Sequence, residues 1–382
     1  MKRITCRLCD SSSLHVVADL NPLPLVDAYS KAPNTVPLYP CGLRMCADCG
    51  HIQLADVVNP SLLFEDYLFF TADYPWLVEH YRKYAASVYA EFRPAFVVEI
   101  GSNDGTLAKM FEEQGAHVLG VDPSNVPASV PTLPEYFTST VAERIRVEHG
   151  PAHVMLANHV FAHVDDLKSV VEGIKLLLAT DGVFVFEAGS GLDMLEEHYF
   201  DTVYHEHLDY HTVSPLVRFF KRMGLEMFRV EHNDSKGGTI RGYVSHAGRR
   251  DIEPSVTLAM EIEEACGATR PGVFREWNER LMQRRTSVLN QLNERHFVGY
   301  GAAAGGIATL HHLGLADRCL WLVDDSPRRH GMYAPHSNLL VKDTASLYGY
   351  DTHHGFTKII ILSWRYAEVI KLKHPNLEMI VP

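Results

Sequence analysis

Short apolar runs that end in a glycine or an acid alternate with stretches of helical periodicity through the middle of this chain. Residues 96–101, Phe-Val-Val-Glu-Ile-Gly, form a β-branched run that stops at a glycine. The apolar spacing then turns helical through 106–114. Runs at 117–122, 153–158 and 182–188 repeat the strand pattern, with a helix-like stretch at 165–178 between the last two. Strands alternating with helices predict crossover units and a mostly parallel sheet. Ahead of this block, 76–92 sets Val78, Tyr81, Ala85 and Val88 at helical spacing. Behind it, 225–246 reads as two strands joined at Gly237-Gly238, which suits an antiparallel finish to the sheet. Residues 255–295 are helical in pattern, and the α/β alternation restarts at 296–301, 319–325 and 358–364.

The expected architecture is α/β in three parts, because 382 residues exceed one ordinary core. Residues 1–75, rich in Pro and Cys with short apolar pieces, make a small loop-rich module that burial alone does not hold together. Residues 76–254 form a central parallel-sheet domain, 255–295 connecting helices, and 296–382 a second α/β domain. No apolar run approaches the ~18–20 residues that span a bilayer. The N-terminus lacks the apolar stretch of a secretory signal, so a cytoplasmic location is expected. With 35 basic against 47 acidic residues the net charge is −12, which opposes a nucleic-acid surface. No protein partner is readable, and a monomer is expected.

Five of the seven cysteines crowd into the first module. Cys6-x-x-Cys9 and Cys46-x-x-Cys49 form a doubled knuckle, and each knuckle brings two thiolates within reach of one tetrahedral Zn2+. Four protein ligands leave no open position, so the metal is structural. Four unrelated buried thiols are the bland alternative; Cys41 is a spare that can replace a ligand.

Glu99-Ile-Gly101-Ser-Asn103-Asp104-Gly105 ends a strand and opens a helix, with Asp122 closing the next strand. Gly101 permits a tight turn at the strand ends, where open α/β sheets bind ligands. Asp122 is placed to accept ribose hydroxyls, as in dinucleotide sites. The turn is G-x-x-x-G, however. Glu99 and Asp104 repel a pyrophosphate and attract a sulfonium and an amino group, which favours a methyl donor. Asn158, at the end of the third strand, joins this set.

Tyr204-His205-Glu206-His207 is the densest polar-aromatic cluster in the chain. On an extended segment Tyr204 and Glu206 face one way and His205 and His207 the other. A zincin needs H-E-x-x-H, which is absent. A hydrophilic loop with incidental histidines is the alternative. His163, just past the third strand, is placed to face the same cleft.

With these residues in view, the chain resembles the sugar C-methyltransferases of antibiotic and lipopolysaccharide deoxysugar pathways, which make branched sugars such as mycarose, tetronitrose or virenose. The resemblance runs nearly full length: the Cys pairs, Tyr67-Leu-Phe-Phe-Thr71, 99–106, 200–207, Gly237-Gly-Thr-Ile-Arg241, Tyr300-Gly-Ala-Ala-Ala304, 324–331 and Trp364. It implies a Rossmann-like class I methyltransferase domain, a Rossmann-like C-terminal domain that helps hold the nucleotide-sugar, and S-adenosylmethionine (SAM) as cofactor. The implied reaction is methyl transfer to C3 of a 4-keto-6-deoxysugar carried on dTDP or GDP. His207 is then the base, Glu206 its orienting partner, and Tyr204 or His163 lies near the developing oxyanion. Tyr67, Arg241, Tyr300 and Arg329 are the implied substrate-binding residues. The chain departs from the family at Gly305 and Arg329, where lysine is usual, and at Arg365, where asparagine is usual.

Two other classes compete. Val298-Gly-Tyr-Gly301, with Asp324 ending the following strand, suits an NAD-dependent oxidoreductase acting on a nucleotide-sugar, although its glycine spacing is off by one. A zinc-stabilised binding module without catalysis is the third.

Overall fold

A computed structural model describes residues 2–64, 69–348 and 358–382. Tyr67 lies outside the described residues. The β-branched runs become the centre of a seven-stranded sheet. Its order is Leu225–Asn233, Thr239–His246, Leu178–Gly189, Ala152–Asn158, Phe96–Ile100, His117–Val121 and Thr132–Leu133. The last five strands run parallel and the first two are antiparallel, as the Gly-Gly turn predicts. All five residues of Phe96–Ile100 are buried, because helices cover both faces. Pro75–Phe92 and Thr106–Glu112 supply Leu77, Tyr84, Val88 and Phe111 to one face. On the other, Ser139–His149, Leu167–Leu177 and Val213–Arg222 bring Ile145, Val171, Ile174, Leu216 and Phe220. Thr138 and Asp166 cap two of these helices through Val141 N–H and Ser169 N–H, satisfying donors that a helix start leaves open.

The first module is more regular than its composition suggests. Leu14–Leu23, Tyr39–Cys46 and Ile52–Leu54 form an antiparallel sheet whose fourth strand is Asp209–Tyr210. That last strand follows His207 directly, so the module's sheet continues into the segment carrying the polar cluster. The third sheet is parallel throughout, in the order Val341–Asp343, Cys319–Asp324, Phe297–Tyr300, Lys358–Ile361 and Met379–Ile380. Pro254–Ala265 and Phe274–Leu292 precede it. The first and third sheets share one core, in which Val17, Leu43 and Ile52 lie with Trp277, Ile307, Leu322 and Ile360. No described helix is long and apolar enough to cross a membrane.

Candidate active site and metal centre

The two parallel sheets build the same turn. Gly101 N–H donates to Val121 O at 2.8 Å, and Asn103 N–H to the Asp122 carboxylate at 2.7 Å. In the third sheet Gly301 N–H donates to Val323 O at 2.8 Å, and Ala302 N–H to Asp324 at 2.7 Å. Gly101 has φ +67° and no room for a β-carbon, which would lie 2.4 Å from Val160. Strand order reverses between Phe96–Ile100 and Ala152–Asn158, so this turn stands at the switch point where such sheets bind ligands.

Around it the expected cofactor residues come together. Asn103 accepts from Thr71 N–H and donates to Phe69 O. Asp104 takes Ala72 N–H and caps the following helix through Thr106. Asp122 also holds Ser124. Glu99 instead points into the fold and accepts Ala108 N–H at 2.9 Å. Burial pushes its carboxyl well above the usual carboxylate range. The attraction for a sulfonium therefore falls to Asp104 and Asp122. Asn158 is buried, and neither atom of its amide has a partner; a buried amide left this way calls for a ligand. These residues fit an adenosyl methyl donor. Asp122→Ala should weaken S-adenosylhomocysteine (SAH) binding ~30-fold, about 2 kcal/mol for a charge-assisted contact. Calorimetric titration checks it, and unchanged affinity in a folded variant would move the ribose elsewhere.

The 204–207 segment is a turn, not an extended strand. His207 N–H bonds back to Tyr204 O at 2.9 Å, which brings Tyr204 and His207 to the same side instead of opposite ones. Their rings lie 4.3 Å apart, and Tyr204 Oη is 3.2 Å from His207 Nε2. His207 Nδ1 meets Thr202 O at 2.7 Å. A carbonyl only accepts, so Nδ1 carries the hydrogen and Nε2 the lone pair, to which Tyr204 O–H donates. The Thr202 carbonyl thus orients His207, a role expected of Glu206. For Glu206, burial first and then the charge of Asp27 drive the carboxyl well above the usual range. His205 turns to Pro40 O and Tyr39. His163 does reach the cluster, its ring centroid 5.1 Å from that of His207.

The implied substrate residues scatter. Arg241 gives two N–H bonds to buried Glu187, at 3.0 and 2.8 Å, and stacks on Tyr84. Tyr300 O–H donates to Asp325 and lies by His374, within the cluster of Trp321 and Ile370. Among the described residues, the side-chain hydrogen bonds of both go elsewhere than Tyr204 and His207. Arg329 is held between Asp27 and Asp324 at 3.9 and 3.8 Å. Asp27 links Arg329 to the cluster electrostatically, since its charge also acts on Tyr204 and Glu206. Sequence reasoning passed over Asp27 and His80, which lie outside the recognisable motifs, and Glu187 and Lys236, which lie inside or beside them. Gly305 and Arg365 meet at one carboxylate: a β-carbon on Gly305 would sit 3.2 Å from Asp201, and Arg365 binds Asp201 at 2.8 Å.

In the first module, the sulfurs of Cys6, Cys9, Cys46 and Cys49 all lie within 4.8 Å of one another. The Cys6–Cys49 and Cys9–Cys46 pairs are 3.5 Å apart, near the ~3.8 Å edge of a tetrahedron with ~2.3 Å Zn–S bonds. Cys41 points away to Val203 O. Hydrogen bonding to Cys49, then burial, pushes the Cys6 thiol far above its ordinary value; a bound cation removes those protons. Zinc here is structural and closed.

Comparison with known proteins agrees with this geometry. Residues 6–64 match a family model described as "Putative zinc binding domain", 77–230 a methyltransferase domain, and 234–379 a C-methyltransferase C-terminal domain. The last match takes the Gly301 turn away from the oxidoreductase alternative. C-methyltransferase NovU of Streptomyces niveus is 28% identical over 349 residues, covering 87% of this chain and 82% of that protein. A SAM-dependent methyltransferase from Clostridium acetobutylicum is 12% identical and covers 46% of this chain and 94% of its own, with a TM-score of 0.37. The CcbJ methyltransferase from Streptomyces caelestis is 15% identical, covering 44% of this chain and 90% of its own, with a TM-score of 0.34. Superpositions that loose decide nothing. The three domain matches, in this order along residues 6–379, make the chain a member of the SAM-dependent C-methyltransferases that carry an N-terminal zinc-binding module.

Proposed function

We propose that the protein methylates C3 of a nucleotide-linked 4-keto-6-deoxysugar, carried on dTDP or GDP, after a side-chain base removes the C3 proton. One observation carries the reading: the His207 tautomer. Thr202 O fixes the hydrogen on Nδ1 and leaves an Nε2 lone pair beside the Tyr204 hydroxyl. A proton α to a ketone is acid enough for such a base, and the enolate carbon left behind is nucleophilic. The donor supplies an electrophilic methyl group on sulfur, held by Gly101, Asn103, Asp104, Asp122 and Asn158. His207 takes the proton, Tyr204 aligns the imidazole, and His163 walls the cleft. The 296–382 domain, through Arg329, holds the nucleotide part of the substrate. The name of the NovU relative supports carbon as the acceptor.

Deprotonation needs no methyl group, so enzyme and dTDP-4-keto-6-deoxyglucose in D2O with SAH should place deuterium at C3. Deuterium only at C5, the other carbon flanking the ketone, would move the reaction there. The pH profile is a second check. Burial brings His207 down to about 4, so the imidazole stays neutral, and competent, until pH falls through that value. kcat/KM, which reports the free enzyme, should show no acid limb near the ordinary ~6.5 of histidine. A limb there contradicts the assignment of His207.

A further inference from the structure

The hairpin turn before Thr239–His246 holds a cation that the His207 reading leaves unused. Lys236 stands at φ 52° in Ser235–Gly237, a left-handed conformation that a non-glycine residue adopts only when its surroundings enforce it. The enforcement is visible. Arg365, fixed to Asp201, donates to Lys236 O at 2.9 Å. At the next residue a β-carbon would lie 2.3 Å from Arg365. Gly238 O accepts Ser190 N–H at 3.0 Å, and Thr239 pairs with Gly189. The turn is thereby pinned to the carboxyl end of Leu178–Gly189, the same sheet edge that carries Asn158 and His159.

The side chain runs inward, with Nζ over the Phe69 ring at 5.1 Å. Among the described residues Nζ makes no hydrogen bond or ion pair; the opposing charge it feels is that of Glu187, already bound to His80 and Arg241. Burial draws the ammonium down to about 8, against the pull of Glu187, and its charge is felt by His159, His163 and His207. A half-buried ammonium with no carboxylate bonded to it keeps part of its desolvation cost, which an anion formed during the reaction would offset.

We propose that Lys236 is the catalytic cation that stabilises the enolate oxygen formed when the substrate loses its α-proton. This rests on the reading above. In that step the C3–H bond breaks and its electron pair becomes the C3–C4 double bond. The former carbonyl pair moves to the oxygen beside Lys236 Nζ, and the proton goes to His207 Nε2. Charge is conserved: the new imidazolium and the new oxyanion cancel.

The test compares native protein, Lys236→Met and Lys236→Arg on dTDP-4-keto-6-deoxyglucose. All three side chains meet the same backbone strain, so folding and SAH affinity should match. Exchange of the C3 proton in D2O without donor, and kcat with donor, should both fall ~10²–10³-fold in Lys236→Met, the usual effect of losing one oxyanion donor. KM should hardly move, and Lys236→Arg should recover at least a tenth of the native rate. A raised KM at native kcat would overturn the proposal, leaving Lys236 to bind the diphosphate. So would native exchange in Lys236→Met, or an arginine variant as slow as the methionine one. Native protein that neither exchanges nor methylates the keto sugar would instead overturn the reading beneath it. Loss of SAH affinity or of melting temperature in both variants would make Lys236 structural and overturn the proposal as well.

Discussion

Alanine in place of His207 is expected to slow methyl transfer ~10²–10⁴-fold, the usual contribution of a positioned base, while SAH binds as before. The imidazole is half-buried, locked at Nδ1 by Thr202 O and met at Nε2 by Tyr204, so its removal leaves no equivalent acceptor in place. Tyr204→Phe deletes only the hydroxyl 3.2 Å away and should slow the reaction less. Thr202 acts through its backbone, so substituting its side chain should do little. A rate within tenfold of native in His207→Ala, alongside a dead Tyr204→Phe or His163→Ala, would pass the role of base to one of those residues.

The second large effect is far from the cleft. Cys6→Ser or Cys46→Ser should lose the metal, the fold of the first module and methylation together. Structural zinc contributes on the order of 10 kcal/mol, comparable to the whole net stability of a domain. The damage spreads because the module is woven into its neighbours. Arg218 and Arg222 donate to Cys49 O and Leu8 O at 2.7 and 2.8 Å. Buried Arg7 reaches Leu54 O and Leu208 O, and Ile52–Leu54 pairs with the strand just after His207. Elemental analysis of the purified protein should find one zinc per chain, and limited proteolysis should open 1–75 first in the variants. Full occupancy in a Cys6/Cys9 double serine variant would contradict the site.

The sheet was legible wherever a β-branched run met a glycine, as at Phe96–Ile100 followed by Gly101. The strand Leu14–Leu23 was not, because a bulge and Pro22 break its alternation and only Val17, Ala18 and Leu23 are buried. The helix Val213–Arg222 was hidden by Pro215 in its first turn, although its Leu216, Phe219 and Phe220 pattern is plainly amphipathic. At the site, residue types were readable but directions were not. A turn at 204–207 joins residues three apart, whereas an extended chain separates them. The contribution of Asp27 and Lys236 depends on contacts across the whole chain, which no local pattern carries. A lysine just ahead of two glycines was still a usable signal, since such turns hold positive φ.

The claim that this protein puts a methyl group on carbon beside a sugar ketone has one direct measurement. Purified enzyme is incubated with SAM labelled by 13C in its methyl group and with dTDP- and GDP-linked 4-keto-6-deoxysugars, and the product is read by mass and NMR. One methyl in place of one hydrogen, with the label coupled to C3 and resonating as a carbon-bound methyl, is the predicted result. A label in the oxygen-bound methyl region, or no labelled product from any keto sugar by zinc-replete protein that binds SAH, would contradict it.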